Sequence, residues 1–210
     1  MRRFLTAFIL LILGLASLSN PAHAQFIKHV SGYLPYGQTN VFYPRTPNNS
    51  LTDTLYKIDG DYHVAGTLIV KAGAEVHFLP NSRIIDSTCG KIIANGYTGN
   101  FQRILFRGEP VNANSVEWGH IVVLPGADSV FFANCRFSNF LKKNTVDVTP
   151  LIANPANPPA AAAYSAAINA VVNGVGGVMA TFSRKTWLED IIVDSCQASF
   201  RGGAFAFLQA

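Results

Sequence analysis

Three short apolar strands, each opened by a glycine, recur along this chain: Gly66-Thr-Leu-Ile-Val70, Gly90-Lys-Ile-Ile-Ala94 and Gly119-His-Ile-Val-Val123. Gly90 lies 24 residues after Gly66, and Gly119 lies 29 after Gly90. Strands repeating at such an interval mean a stacked architecture, in which each repeat buries its apolar face against the next, rather than one globular core. A chain built this way is constrained in shape far more than in chemistry.

Between the glycines the pattern is one of alternation. Val64, Leu68, Val70, Val76 and Phe78 alternate with other residues over two short runs, and Ala72-Gly73-Ala74 turns the chain between them. Further runs follow at Lys91-Ile-Ile-Ala94, Arg103-Ile-Leu-Phe106 and Ser129-Val-Phe-Phe132, with turn signals at Asn95-Gly96 and Pro125-Gly126. No 3.6-residue periodicity is sustained in this region. Short strands with tight turns suit a sandwich, a barrel or a parallel β-helix. The recurring phrase, about one circuit of three strands, and the Val/Ile/Leu/Phe-rich strands favour the β-helix. Asn95-Gly96 is the one hairpin signal in favour of a sandwich.

The first 24 residues read as a signal peptide. Arg2 and Arg3 give a positive start, Phe4 to Leu18 is apolar, and Asn20 with Pro21 breaks the run. Ala22-His23-Ala24 is a small-x-small site, so cleavage is expected between Ala24 and Gln25. The apolar run falls short of the roughly 20 residues that span a bilayer. The mature chain is therefore expected to be secreted or held at the outer cell surface, with no membrane-spanning segment. Losing Arg2 and Arg3 lowers the formal net charge from +4 to +2. The basic pairs that remain, Lys142-Lys143 and Arg184-Lys185, are isolated, so the basic balance does not signal nucleic-acid binding.

Residues 25–61 are turn-rich, with Tyr33-Leu-Pro-Tyr-Gly37 and Tyr43-Pro-Arg-Thr-Pro47, and read as a lead-in that caps the exposed edge of the first layer. Residues 62–210 read as coils, interrupted at about 144–167, where Asn154-Pro-Ala-Asn-Pro-Pro-Ala-Ala-Ala-Ala163 cannot join a ladder. That insertion reads either as the wall of a binding groove or as a tolerated excursion, with a short helix over Ala160 to Val171. Arg201-Gly-Gly-Ala-Phe-Ala-Phe-Leu-Gln-Ala210 reads as the first strand of a further coil rather than a cap. The chain is accordingly expected to be the amino-terminal part of a longer protein.

The chemistry-bearing residues form no strong motif: Gly-x-Ser-x-Gly, His-Glu-x-x-His and phosphate-binding glycine loops do not occur. Cys89, Cys135 and Cys196 are an odd set in an export setting that permits disulfides. Cys135 and Cys196 end the similar phrases Phe-Phe-Ala-Asn-Cys and Ile-Val-Asp-Ser-Cys. Equivalent places in a stack would put them two or three layers apart, about 10–14 Å, beyond disulfide reach. They read as small buried apolar side chains. With no Cys-x-x-Cys and no histidine close in sequence to a cysteine, no zinc site is expected. The tightest acidic set, Glu189-Asp190 with Asp194, lies beside Arg184-Lys185 and reads as solvated surface rather than as calcium ligands. His77, between Val76 and Phe78, should point outward, and His120 follows Gly119 on a strand. Trp118 and Trp187 are the candidates for stacking on a sugar ring, although buried packing is the more ordinary role of such side chains.

Taken together, these phrases resemble a family: secreted right-handed parallel β-helix repeat proteins of the pectin-lyase-like group, and within it large surface proteins of the Bacteroidota. The resemblance rests on Gly66-Thr-Leu-Ile-Val-Lys-Ala-Gly-Ala-Glu-Val-His-Phe78, Gly90-Lys-Ile-Ile-Ala-Asn-Gly96, Arg103-Ile-Leu-Phe106, Trp118-Gly-His-Ile-Val-Val123 and Val130-Phe-Phe-Ala-Asn-Cys-Arg-Phe137. Arg201-Gly-Gly-Ala204, after Cys196, is similar to the Gly-Gly-Ala repeats of adhesin β-helices. The resemblance covers roughly residues 62–143 and 174–210. It implies an all-β, right-handed parallel β-helix with a non-enzymatic, exported surface or adhesive role. Extracellular polysaccharide or cell-surface components would be its partners. The same fold carries lyases and hydrolases. Lyases of the family hold calcium on acidic side chains and use an Arg or Lys base, but no residue set here matches that site. No catalytic residue and no cofactor is assigned; calcium enters only under the alternative, a polysaccharide lyase or glycoside hydrolase on acidic polysaccharide. A non-catalytic carbohydrate-binding module is the second alternative.

Overall fold

The computed structural model describes residues 26–45, 54–96, 102–109, 117–142, 176–198 and 203–208. Among them every regular element is a strand. The strands fall into successive passes of the chain. The first pass holds β1 (Phe26–Leu34) and β2 (Thr39–Phe42), and the second holds β3 (Thr54–Val64) and β4 (Thr67–Lys71). The third holds β5 (Glu75–Phe78), β6 (Arg83–Asp86) and β7 (Lys91–Asn95). The fourth holds β8 (Ile104–Gly108), β9 (Glu117–Trp118), β10 (Ile121–Val123) and β11 (Ser129–Ala133). The fifth holds β12 (Cys135–Ser138), β13 (Leu141–Lys142), β14 (Met179–Thr181) and β15 (Thr186–Glu189). A sixth holds β16 (Ile192–Asp194), β17 (Gln197–Ala198) and β18 (Phe205–Phe207).

Each pass pairs with the one before it and the one after. One sheet runs β15-β11-β7-β4-β2. The larger sheet turns about β3, whose first half pairs with β5 and whose second half pairs with β6. Gly60, at φ 84°, stands between the halves, in a left-handed conformation that glycine adopts without steric penalty. From β3 the sheet continues through β5, β8, β12 and β16 on one side and through β6, β10, β14 and β18 on the other. The ladders of these two sheets are parallel, and the antiparallel contact is the short pairing of β13 with β9 in a third sheet. The chain thus returns to each side in the same order, displaced each time by one strand spacing of about 4.8 Å. An all-β chain of parallel strands in curled sheets is compatible with a β-helix-like fold.

In-register pairing lines equivalent side chains into columns. Two inward columns of the β2-containing sheet are Leu68, Ile92, Val130 and Phe42, Val70, Ala94, Phe132, all buried. The alternation read from Val64, Leu68, Val70, Val76 and Phe78 is real, since all five lie in the core. Aromatic rings fill the later passes: Phe106 stacks on Phe137 at 5.0 Å, and Phe132 meets both edge-on at 5.6 and 5.4 Å. Such contacts add about 0.5–1.5 kcal/mol each beyond the area they bury.

Three expectations need correction or placement. Gly66 and Gly90 do hold equivalent corners, for Lys91 N–H donates to Gly66 O at 2.9 Å and Thr67 pairs with Lys91. The third phrase does not belong with them. Ile121–Val123 pairs with Ile84–Asp86 in the larger sheet, and the true successor of Lys91 is Ser129, 38 residues on. The phrases look alike because both sides of a pass need a short apolar strand after a tight corner. Likewise, Asn95-Gly96 makes no hairpin; Gly96 N–H donates to Ala133 O of the next pass. The turn-rich lead-in already contributes strands, since β1 pairs with β3 and β2 with β4 in parallel. The Ala24–Gln25 cleavage point, the 144–167 insertion and the Ala160–Val171 helix lie outside the described residues.

Candidate functional site

The outer face of the β2-containing sheet carries the most unusual surface. Its strands place Val41, Ile69, Ile93, Phe131 and Trp187 in one outward column, one residue per pass. An outward column would ordinarily be polar. Here it is apolar from end to end, and Trp187 is 52% exposed. This overturns buried packing as the ordinary role for that side chain. Trp118 pairs through its backbone with Leu141 in the short third sheet, away from this column.

Beside the column runs a groove at the corner leading into the sheet. One part, about 480 Å³, is lined by Tyr36, Gly66, Cys89, Lys91, Gly126 and Asp128 among others. It opens into a second part of about 600 Å³ that includes Ile93, Phe131 and Trp187, with Lys91, Asp128 and Lys185 common to both. The corners beside the groove need small residues because the passes pack closely there. A β-carbon on Gly66 would stand 2.4 Å from the carbonyl oxygens of both Gln38 and Pro35, and one on Gly90 would stand 2.1 Å from Val64 O and Asp86 Oδ1. Lys185 Nζ lies 3.4 Å from Asp128 Oδ1.

The acidic residues are dispersed over the surface and held one by one. Asp61 takes a two-pronged contact from Arg83 at 2.8 and 2.6 Å. Asp190 accepts from Arg103 at 2.9 Å, and Asp194 from Arg136 at 2.5 Å. Asp190 and Asp194 therefore do not converge, because the corner and the next strand send each to its own arginine. The densest polar cluster was not legible in sequence. His77 Nε2 lies 2.7 Å from Glu75 Oε1, its Nδ1 contacts Glu109, Lys57 Nζ donates to Glu109 at 2.9 Å, and Arg45 contacts Glu75. His77 does point outward, but these partners cover it, and it is only 8% exposed. The pairing of Lys57 with His77 across β3 and β5 could have suggested the contact only to a reader who already knew the register.

Electrostatics limits what this cluster can do. The hydrogen bond from His77 holds Glu75 down at about 2, with burial opposing and Arg45 adding to the effect. Burial would raise Glu109, but His77 and Lys57 outweigh it and keep it below its ordinary value. Neither carboxyl retains a proton near neutral pH, so neither can act as the general acid a glycoside hydrolase needs. Asp86 is the reverse case: burial first, and the charge of Asp128 second, push it up to about 8. It is fully enclosed, and neither of its carboxyl oxygens has a hydrogen-bond partner. No substrate can reach it.

The cysteines are free. Cys135 is buried, and burial pushes its thiol up to about 12, so it behaves as an apolar side chain. Cys196 is half-buried and also raised by burial. The two do not occupy equivalent places. Cys196 sits beside Phe140, since Gln197 N–H donates to Phe140 O, whereas Cys135 pairs with Ile104 of the preceding pass. Cys89 is exposed in the groove.

No family model, no curated protein and no solved structure gives a significant match to this chain. The functional reading rests on the fold and on this surface.

Proposed function

We propose that this is an exported surface or adhesive protein with a structural and binding role, its strands wound as a right-handed parallel β-helix of the pectin-lyase-like kind. The observation that carries the reading is the outward column Val41, Ile69, Ile93, Phe131 and Trp187, set on a rigid ladder and continuous over five passes. A contiguous apolar column of this kind, half-buried along the ladder and open at Trp187, supports an interaction site rather than ordinary protein surface. A parallel stack suits the role, since the inner strands β4, β7 and β11 are each held by two neighbours. The leader Met1–Ala24 supplies the export route. Turnover of acidic polysaccharide has less support, because Asp61, Asp190 and Asp194 are each paired with an arginine, and the carboxylates of the His77 cluster are held deprotonated.

The test is topology on intact cells. Cells making the full chain are labelled with an amine-reactive reagent that does not cross membranes, and the amino terminus of the purified protein is sequenced. The expected result is labelling on unbroken cells and a chain that begins at Gln25. A protein labelled only after lysis, still carrying Met1–Ala24, would refute the reading.

A further inference from the structure

We infer that the open edge of β1 is a self-association site, on which β1 of a second copy pairs antiparallel about a two-fold axis at Val30. The inference rests on the export reading, in which cleavage before Gln25 leaves one residue ahead of β1.

The backbone supplies the first argument. β1 belongs to the outermost pass, and among the described residues it pairs with β3 alone. Ala65 N–H of the next pass donates to Leu34 O at 2.9 Å. Backbone groups alternate sides along a strand, so those of Ile27, His29, Ser31 and Tyr33 turn the other way, toward the open edge. An edge of this kind is a template for another strand. Its side chains are apolar as well: Phe26 is 65% exposed, Ile27 47% and Tyr33 63%. The second, third and fourth passes expose no large apolar side chain among the described residues.

The order of residues in β1 identifies the partner. Phe26-Ile-Lys-His-Val-Ser-Gly-Tyr-Leu34 has an apolar pair at each end, two small or polar residues inside each pair, and Val30 at the centre. It therefore reads alike in both directions. Antiparallel pairing about Val30 sets Phe26 opposite Leu34, Ile27 opposite Tyr33, Lys28 opposite Gly32 and His29 opposite Ser31. Opposite residues in a sheet project to the same face. Here Lys28, Val30, Gly32 and Leu34 lie beside the core residues Tyr56, Ile58, Tyr62 and Val64 of β3, so Ile27 and Tyr33 face outward together. The pairing covers Ile27 with Tyr33 outside and Phe26 with Leu34 on the core side. In-register parallel pairing would instead set Lys28 against Lys28 and His29 against His29.

Charges and kinks are the usual guards of an edge, and neither closes this one. Lys28 Nζ lies over the Tyr56 ring, 5.9 Å from its centre, and His29 Nδ1 lies 3.0 Å from Asp59 Oδ2, so both turn toward their own second pass. Gly32 has φ 88°, yet the register on β3 resumes at Tyr33 and Leu34. A β-carbon on Gly32 would meet nothing within 4 Å, which leaves room for Lys28 of the second copy.

The experiment uses the exported chain carrying Cys89→Ser, so that this exposed thiol cannot link copies, with its amino terminus sequenced. Sedimentation equilibrium should show a monomer passing to a dimer as concentration rises. Chains with Ile27→Cys and with Tyr33→Cys are then oxidised separately and mixed. The mixture should give a disulfide-linked dimer and neither chain alone should, since opposite residues stand about 5.5 Å apart, within disulfide reach, and Ile27 stands about 20 Å from its own copy. Ser31→Pro, which removes an N–H from the open edge only, and Ile27→Lys should each weaken association at least about tenfold. Circular dichroism matching the unsubstituted chain at a dilution where both are monomeric shows that the variants are folded. A chain that begins at Gln25 and stays monomeric to about 200 µM overturns the inference. So do open-ended polymers, equal cross-linking of the separate chains, or association unchanged by both substitutions. Each of these leaves the export reading intact, whereas a chain that keeps Met1–Ala24 overturns that reading and this inference with it.

Discussion

Asp86→Asn should make this protein more stable, and increasingly so as pH rises. Asp86 points into the core column whose equivalent places are held by Val64 and Val123. It is fully enclosed without a hydrogen-bond partner, and its carboxyl is pushed from 3.8 to about 8. The folded protein therefore keeps the proton up to about pH 8, whereas the unfolded chain releases it near 3.8. Between those values unfolding releases a proton, and stability falls as pH rises by about 1.4 kcal/mol per unit. An asparagine cannot ionise and is free of this penalty. The gain over wild type should grow from under about 1 kcal/mol at pH 4 to about 4 at pH 7 and about 5 at pH 8, as upper limits. Guanidinium unfolding of both proteins at pH 4, 6 and 8 measures it, and the difference between them cancels groups that titrate alike in each. Asp86→Val, which installs the residue of the neighbouring passes, should show the same pH trend. A gain that is the same at pH 4 and pH 8 would refute the reasoning, for it would mean that Asp86 ionises in the folded protein as easily as in water.

Two further perturbations test the outer cluster and the corners. Glu75 is held at about 2 against an ordinary 4.5, so its contribution is complete above about pH 4.5 and is lost as pH falls toward 2. Glu75→Gln should cost up to about 3 kcal/mol at pH 7 and progressively less in acid; a loss independent of pH would show that shape rather than charge is at stake. Gly90→Ala should destabilise by about 2–3 kcal/mol, because its β-carbon would press on the carbonyl oxygen of Val64 in the preceding pass. An unchanged melting midpoint would mean that the corner is looser than the 2.1 Å contact implies.

What could be read in the sequence is what depends on near neighbours. Alternation of Leu68, Val70, Val76 and Phe78 follows from the two-residue period of a strand, and it placed these side chains in the core correctly. The corners at Gly66 and Gly90 were legible because the connection between them is short and uniform. The next pass was not. Its connection is longer, so the equivalent of Lys91 is Ser129 and not a residue of the Gly119 phrase, which belongs to another side of the stack. A strand's own pattern says that one face is buried but not which sheet the strand joins, because every side of a pass asks for the same residues. The surface followed the same rule. Whether Trp187 was buried or exposed depended on its register with Phe131 and Ile93, and the Arg103–Asp190 pair joins residues 87 positions apart. Local alternation fixed the strands and their inward faces. The register between passes, which depends on where each corner closes, decided which side chains form a ligand-sized column and which charges meet.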